Sequence, residues 1–476
     1  MKQFVRPFFC FFIIIFCSSY LNAQEVWDWQ KCIDYATENN IQIQQSNINV
    51  SLGETTLKSN KMNYSPSINA RSNYNVSIGN SFNYFTTNYE QQIVHYQDYA
   101  LNVSQPIFDG LYTPNSVKKS KLDLQALKLD QETLKNNVIL QLLTAFLNIM
   151  NANEQHQQAL NQYSITKEQY ERTQALIKEG AAAENALLDI DAQLANEELS
   201  IEQIKNQLDL SYLNLKLLLQ LEPNKNITIK IPELPTDFAI TTLDDVQSIY
   251  NSALQLRPEI KSIGLKAESA KKQIAIAKSG YYPTLNFVGN INTFFTNQNK
   301  ITNTITTGTF IPSGAFVDGT FQQVLIPETI TEIKKNPYGN QLRRNLSYAF
   351  GLSLNIPIFD KFQTQTAVKQ SKLQYQNALL NQKQTALDLF NSVQQAYLKA
   401  QAAINNYNAA KKNYETSKKS YEYAKERLDL GSIGQLELNV AKTSLDNAIS
   451  KLTQAKYEYL FNSKLLDFYQ GKKIEL

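Results

Sequence analysis

The sequence is short of nearly everything an active site is built from. It has two histidines, His95 and His156, and three cysteines in 476 residues; that is too little to assemble a zinc ligand set. No glycine-rich phosphate-binding loop occurs, so no nucleotide site and no cofactor are expected. Plentiful Asp and Glu side chains do not by themselves make a catalytic dyad, and no enzyme activity is expected. Charge of one sign is missing too: 46 basic against 43 acidic side chains leave a formal +3, too even a balance for a nucleic-acid partner. Glycine (15) and proline (13) are scarce, which favours long helices over short, punctuated elements. No stretch beyond the first residues is apolar enough to cross a bilayer as a helix. If the chain sits in a membrane, it does so with strands.

The long apolar run that does occur stands at the start. "MKQFVRPFFCFFIIIFCSSYLNAQ" has Lys2 and Arg6, an apolar run from Phe8 to Cys17, then small residues up to Ala23. This is the layout of a secretory signal peptide over residues 1–23, cleaved after Ala23. Phe16 is too bulky for the small residue that precedes a lipidated cysteine, so Cys17 is not expected to carry lipid. Once the leader is removed, Cys32 remains alone and reads as a buried thiol. The mature chain then has 44 basic and 43 acidic residues and a net charge of +1.

What is present is written twice. "YSPSINARSNYNV" (64–76) matches "YYPTLNFVGNINT" (281–293) at an offset of 217 residues. Later matches run at an offset of 251: "QPIFDG" (105–110) with "IPIFDK" (356–361), "YSITKEQYE" (163–171) with "YETSKKSYE" (414–422), and Gly180 with Gly431. The offsets differ by 34 residues, which places an insertion at roughly 297–340; its Thr, Gly and Asn content reads as a long loop. The first repeat spans 24–221, with a helix, strands at about 66–80 and 96–108, and long helices at about 113–179 and 182–221. A linker covers 222–244. The second repeat spans 245–476, with a helix, strands at about 283–296 and 344–358, and long helices at about 361–430 and 434–470. In the first long helix, Leu127, Leu134, Val138, Ala145, Ile149, Ala152 and Ala159 recur at coiled-coil spacing. A helix of about 65 residues would reach ~100 Å.

The strands alternate. One face carries Ile68, Tyr74, Val76, Leu101, Val103, Leu285, Phe287, Phe350, Leu352 and Leu354; the other carries Asn69, Arg71, Asn73, Asn102, Asn290, Asn292, Ser353 and Asn355. Strands of about ten residues, apolar on one side and polar on the other, are the signature of an outer-membrane barrel. Four strands cannot close, and an open edge in lipid leaves unpaired backbone groups costing several kcal/mol each. Closure therefore calls for a symmetric oligomer. Pro66, Pro106, Pro283 and Pro357 mark the strand ends, and Asp109 and Asp360 stand where helix caps belong. The Tyr163/Tyr170 and Tyr414/Tyr421 pairs, one heptad apart, read as interhelix packing.

The doubled layout, the proline-marked strand ends "QPIFDG" and "IPIFDK", and the turns "IKEGAAAENALLDIDAQLANEE" (177–198) and "RLDLGSIGQLELNVAKTSLDNA" (427–448) together resemble the TolC-like outer-membrane efflux family, from about Val26 to Gly471. The resemblance implies a mainly α fold with a membrane β-barrel: a homotrimer with a 12-stranded barrel in the outer-membrane lipid and a 12-helix α-barrel in the periplasm of a Gram-negative cell. It implies a passive duct for small molecules, working with a periplasmic adaptor and an inner-membrane pump. A duct for protein secretion, or a secreted coiled-coil structural protein, are the alternatives. The turns at Gly180, Gly431 and Gly434 would be the docking tips. In the family a carboxylate six residues after the second tip glycine helps to form the periplasmic constriction, and Glu437 occupies that position. The family's second acidic site is Val440 here, and its tip arginine is Ile433. The first-repeat match to Glu437 is Ala186, with Asp189 and Asp191 close behind as further gate candidates.

Overall fold

The computed structural model describes residues 25–83, 87–180, 183–222, 224–231 and 243–474. The expected leader with Cys17, and residues 223 and 232–242 of the expected linker, lie outside them. The chain divides into a helical unit, made of the residues up to Ser51, Ala126–Ile263 and Asn381–Leu476, and a strand-bearing unit, Leu52–Gln125 and Gly264–Leu380.

In the helical unit, β1 (Glu25–Trp27) leads into α1 (Trp29–Asn39), whose N-terminus is capped by the Asp28 carboxylate accepting from Lys31 N–H at 2.8 Å. The long helices α3 (Tyr112–Lys178), α4 (Asn185–Leu218), α8 (Gln363–Asp429) and α9 (Gln435–Tyr469) supply most of its core. Trp27, Trp29, Cys32, Leu142, Phe146, Ile149, Leu215, Leu219, Tyr457 and Phe468 form the largest apolar cluster. Each fully buried Leu, Ile or Phe in it contributes ~1.5–3 kcal/mol over an exposed one. The expected seam is visible: Val138, Ala145, Ile149 and Ala152 are buried. Cys32 is sealed in the cluster, and burial pushes its thiol up to about 12. One element was not foreseen. Within the stretch read as a linker, β4 (Ile227–Ile229) pairs in parallel with β1 and buries Ile227 and Ile229.

The repeats build the same bend with different chemistry. Between α1 and α2 (Ile41–Met62), Asn40 adopts φ −64°, ψ 123°; between α5 (Val246–Leu256) and α6 (Pro258–Lys278), Arg257 adopts φ −65°, ψ 126°. At Arg257 the following Pro258 disfavours helical backbone. At Asn40 the side-chain oxygen instead accepts from Gln42 N–H at 3.0 Å, an Asx turn that caps α2.

In the other unit, β2 (Ser67–Asn83), β3 (Asn88–Asp109), β5 (Thr284–Thr296) and β8 (Ser347–Asn355) form one antiparallel sheet in the order β2-β3-β5-β8. The β2–β3 hairpin is longer than the ten-residue strands expected, at 17 and 22 residues. The insertion is not a loop. It folds as a second hairpin, β6 (Lys300–Phe316) and β7 (Gln323–Lys335), followed by α7 (Tyr338–Arg344). Its threonines, polar by composition, are β-branched residues paired across the ladder, Thr304 with Thr331 and Thr306 with Thr329. Left-handed Gly308 and Gly314 lie at the two breaks in its register. Its base is fixed to β5: the Thr293 hydroxyl donates to Leu342 O at 2.6 Å, and buried Gln341 accepts from Thr296 N–H at 3.0 Å.

Candidate functional site: helix tips, helix seam and strand edges

Each long helix pair turns at a glycine with left-handed backbone, Gly180 at φ +73° and Gly431 at φ +68°. At the second turn Gly431 N–H donates to Leu428 O and Ser432 N–H to Arg427 O, both at 2.9 Å, the bond pair of a Schellman ending. Gly434 then takes extended backbone (φ −88°, ψ 166°) as the N-cap of α9. Glu437 sits in the first turn of α9 and is exposed, where a carboxylate complements the positive end of the helix. Asp189 and Asp191 are exposed on α4. What the fold gathers near the tips is a cavity of about 510 Å³, lined by residues of α3, α4, α8 and α9 that include Glu168, Arg172, Ala186, Lys425, Asp429 and Leu438. Arg172 reaches Asp429 across it at 3.8 Å, both exposed. Glu437, Asp189 and Asp191 do not line this cavity.

Behind the tips the seam is polar. The Tyr163 hydroxyl donates to Glu198 at 2.7 Å, tying α3 to α4. Thr166 donates to Glu197 at 2.8 Å, and Lys442 of α9 donates to Thr166 and lies 3.5 Å from Glu197. Lys442 is only 2% exposed. Its burial has no signal in its own type, because a lone lysine on a charged helix reads as solvated. The signal was its place four residues after Leu438, on the buried stripe of α9.

In the strand unit the prolines take different places. Pro66 and Pro283 immediately precede β2 and β5, Pro357 follows β8, and Pro106 stands inside β3 where the register with β5 shifts. At the strand-to-helix junctions, Asp109 accepts from Thr113 N–H and Asp360 from Thr364 N–H, each at 2.8 Å. The Thr364 bonds also hold the Asp360 carboxyl below its usual range. Left-handed pairs precede both helices: Gly110 and Leu111 in the first repeat, Lys361 and Phe362 in the second.

The sheet is two-faced. Ile68, Tyr74, Val76, Ile78, Tyr348, Phe350, Leu352 and Leu354 are exposed apolar side chains. The opposite face aligns polar residues in rows: Asn69, Asn102 and Asn290 are register partners, and Asn290 donates to Asn102 at 2.6 Å. Both outer strands, β2 and β8, pair on one side only.

The sequence profile of the outer membrane efflux protein family matches residues 32–219 and 249–472. No curated protein matches the chain. Among solved structures, the CmeC outer membrane channel of Campylobacter jejuni is similar at 19% identity and a TM-score of 0.73, over 93% of this chain and 85% of that one. The outer membrane protein VceC of Vibrio cholerae matches at 14% identity and 0.72, over 94% and 97%. The open state of the MtrE outer membrane channel of Neisseria gonorrhoeae matches at 17% and 0.69, over 93% and 88%. At these identities the structures speak for the fold, and the family profile, spanning both repeats, carries the assignment: this chain belongs to the outer membrane efflux protein family.

Proposed function

We propose that the chain is one protomer of a passive outer-membrane duct that exports small molecules handed to it by a periplasmic adaptor and an inner-membrane pump. The observation that carries this reading is the open four-stranded sheet, with lipid-compatible side chains on one face, rows of Asn and Ser on the other, and unpaired edges at β2 and β8. A sheet of that kind is stable in lipid only when its edges are paired. Pairing β2 of one copy with β8 of the next closes three copies into twelve strands and puts the Asn rows on the wet inside. The long helices, ending in the turns at Gly180 and Gly431, then present their tips as the docking surface. Glu437, repeated three times around the axis, would set a ring of negative charge at the mouth, with Asp189 and Asp191 nearby on α4. No chemistry on the transported molecule is needed, and transport follows the gradient that the pump maintains.

The test is extraction and mass. The protein should fractionate with the outer membrane, require detergent, and have the mass of three mature chains. Cysteines placed on β2 and β8 should cross-link between copies. A stable, detergent-free monomer would overturn the reading.

A further inference from the structure

We propose that buried Lys442 and half-buried Glu197 and Asp446 form a clamp that seats α9 against α3 and α4, and that the clamp tightens as pH falls by taking up one proton. The proposal stands on contacts within the helical unit and does not depend on how copies of the chain close a barrel.

The geometry is that of a cluster one cation short. Lys442 donates to Thr166 of α3 and lies 3.5 Å from Glu197 of α4. Asp446 is one turn further along α9, on the same face as Lys442. Gln162 of α3 can bridge the two, its nitrogen donating to Asp446 at 2.9 Å while its oxygen accepts from Lys442. One ammonium thus serves two carboxylates. Among the described residues, the other groups facing the cluster bring no compensating charge: Gln158 and Gln162 come from α3 and Ser200 from α4, and Tyr421 of α8 keeps its proton, burial and Asp446 both pushing its hydroxyl up. Next along the seam, Glu154 is already matched by Lys456 at 3.5 Å and by the Tyr457 hydroxyl at 2.7 Å. Glu197 Oε2 is buried without a hydrogen-bond partner among the described residues. The side chains of Glu197 and Asp446 border a cavity of about 130 Å³.

A desolvated carboxylate in excess of its counter-charge is costly, and it lowers that cost by protonating. Burial, reinforced by Glu197 and opposed by Lys442, pushes Asp446 up to about 6 from an ordinary 3.8. Burial also pulls the Lys442 ammonium down, against the two carboxylates. For Asp446 the packed state therefore binds the proton more tightly than the exposed state. Its contribution to packing is fully present below the ordinary value and is lost as pH rises through about 6. A proton on Asp446 also supplies an O–H donor close to Glu197. Between pH 7.5 and 5.5 the linkage amounts to roughly a fourfold fall in the opening constant of this part of α9.

Hydrogen exchange on the full-length protein in detergent measures that constant. Peptides spanning residues 438–450 are followed at pH 7.5 and 5.5, with labelling times scaled to the intrinsic exchange rate. The wild type should open about fourfold less at pH 5.5. Asp446→Asn keeps the shape and the Gln162 contact but cannot titrate. It should be protected to the same degree at both pH values, and at pH 7.5 more than wild type. Lys442→Met should loosen α9 at pH 7.5 and recover only in part at pH 5.5, because one proton on Asp446 still leaves Glu197 without its ammonium. If Asp446→Asn retains the fourfold difference, or if wild-type protection follows potassium concentration at fixed pH instead of following pH, the proposal is overturned.

Discussion

Gly110 and Gly431 offer a matched pair of substitutions. Both have φ +68°, so alanine at either meets the same left-handed penalty of ~1–2 kcal/mol. Their surroundings differ. A Cβ on Gly431 meets nothing within 4 Å, whereas on Gly110 it would stand 2.6 Å from Ser279 O and 3.1 Å from the Tyr282 Cβ. The carbonyl in the way is not free to move, because it accepts from Tyr282 N–H at 3.0 Å in the turn that starts β5. Displacing it adds ~1–3 kcal/mol of overpacking and puts at risk a hydrogen bond worth ~0.5–1.5 kcal/mol. The strain alone is survivable, since the second repeat places Lys361 at the equivalent position with φ +56°. Gly110→Ala should therefore cost ~1–3 kcal/mol more than Gly431→Ala, seen as a lower thermal midpoint of the purified protein and less of it in the outer membrane. Asparagine, which tolerates left-handed backbone, sharpens the test: Gly431→Asn should be nearly neutral, while Gly110→Asn should stay defective because its Cβ still collides. Equal costs at the two sites, or rescue of Gly110 by asparagine, would refute the steric argument.

Two further outcomes concern the barrel and the mouth. An epitope inserted near Thr306, on the β6–β7 hairpin, should be accessible on intact cells, because barrel loops on the outer side are the long ones; exposure only after the outer membrane is broken would invert the topology. Glu437→Gln should weaken block of single-channel current by divalent cations in planar bilayers while leaving assembly intact, because a narrow mouth lined by one sign of charge concentrates cations. If block is unchanged there but abolished by neutralising Asp189 or Asp191, the ring belongs to α4.

The parts of the fold that could be read from sequence are those with a period. The alternation in residues 346–355 and the coiled-coil spacing of Val138, Ala145 and Ile149 each name an element and its buried or lipid-ready face, and the internal repeat supplies a second copy of every inference. What escaped lacks a local signature. β4 is three residues long and exists because β1, just over two hundred residues away, pairs with it. The β6–β7 hairpin hides its alternation in threonine, which counts as polar by composition and as a strand former by shape. At the candidate site the turns at Gly180 and Gly431 are visible as breaks in a glycine-poor chain. Lys442 is not, because its burial is decided by Thr166 and Glu197 on two other helices.

The principal core joins residues from both ends of the sequence to the middle of α3 and the end of α4. Trp27, Trp29 and Ile474 share one cluster, and the Trp29 indole N–H donates to Ile474 O at 3.2 Å. A cluster of such high contact order cannot form while only the leading part of the chain has been delivered. For a polypeptide bound for the outer membrane this has a practical side: the N-terminal segment meets Phe146, Leu215 and Ile227 early, but Tyr457, Phe468 and Ile474 complete its cluster only at the end. Truncation just short of Ile474 should then do more than shave a terminus: it removes the acceptor of the Trp29 indole N–H and should lower the thermal midpoint of the purified protein.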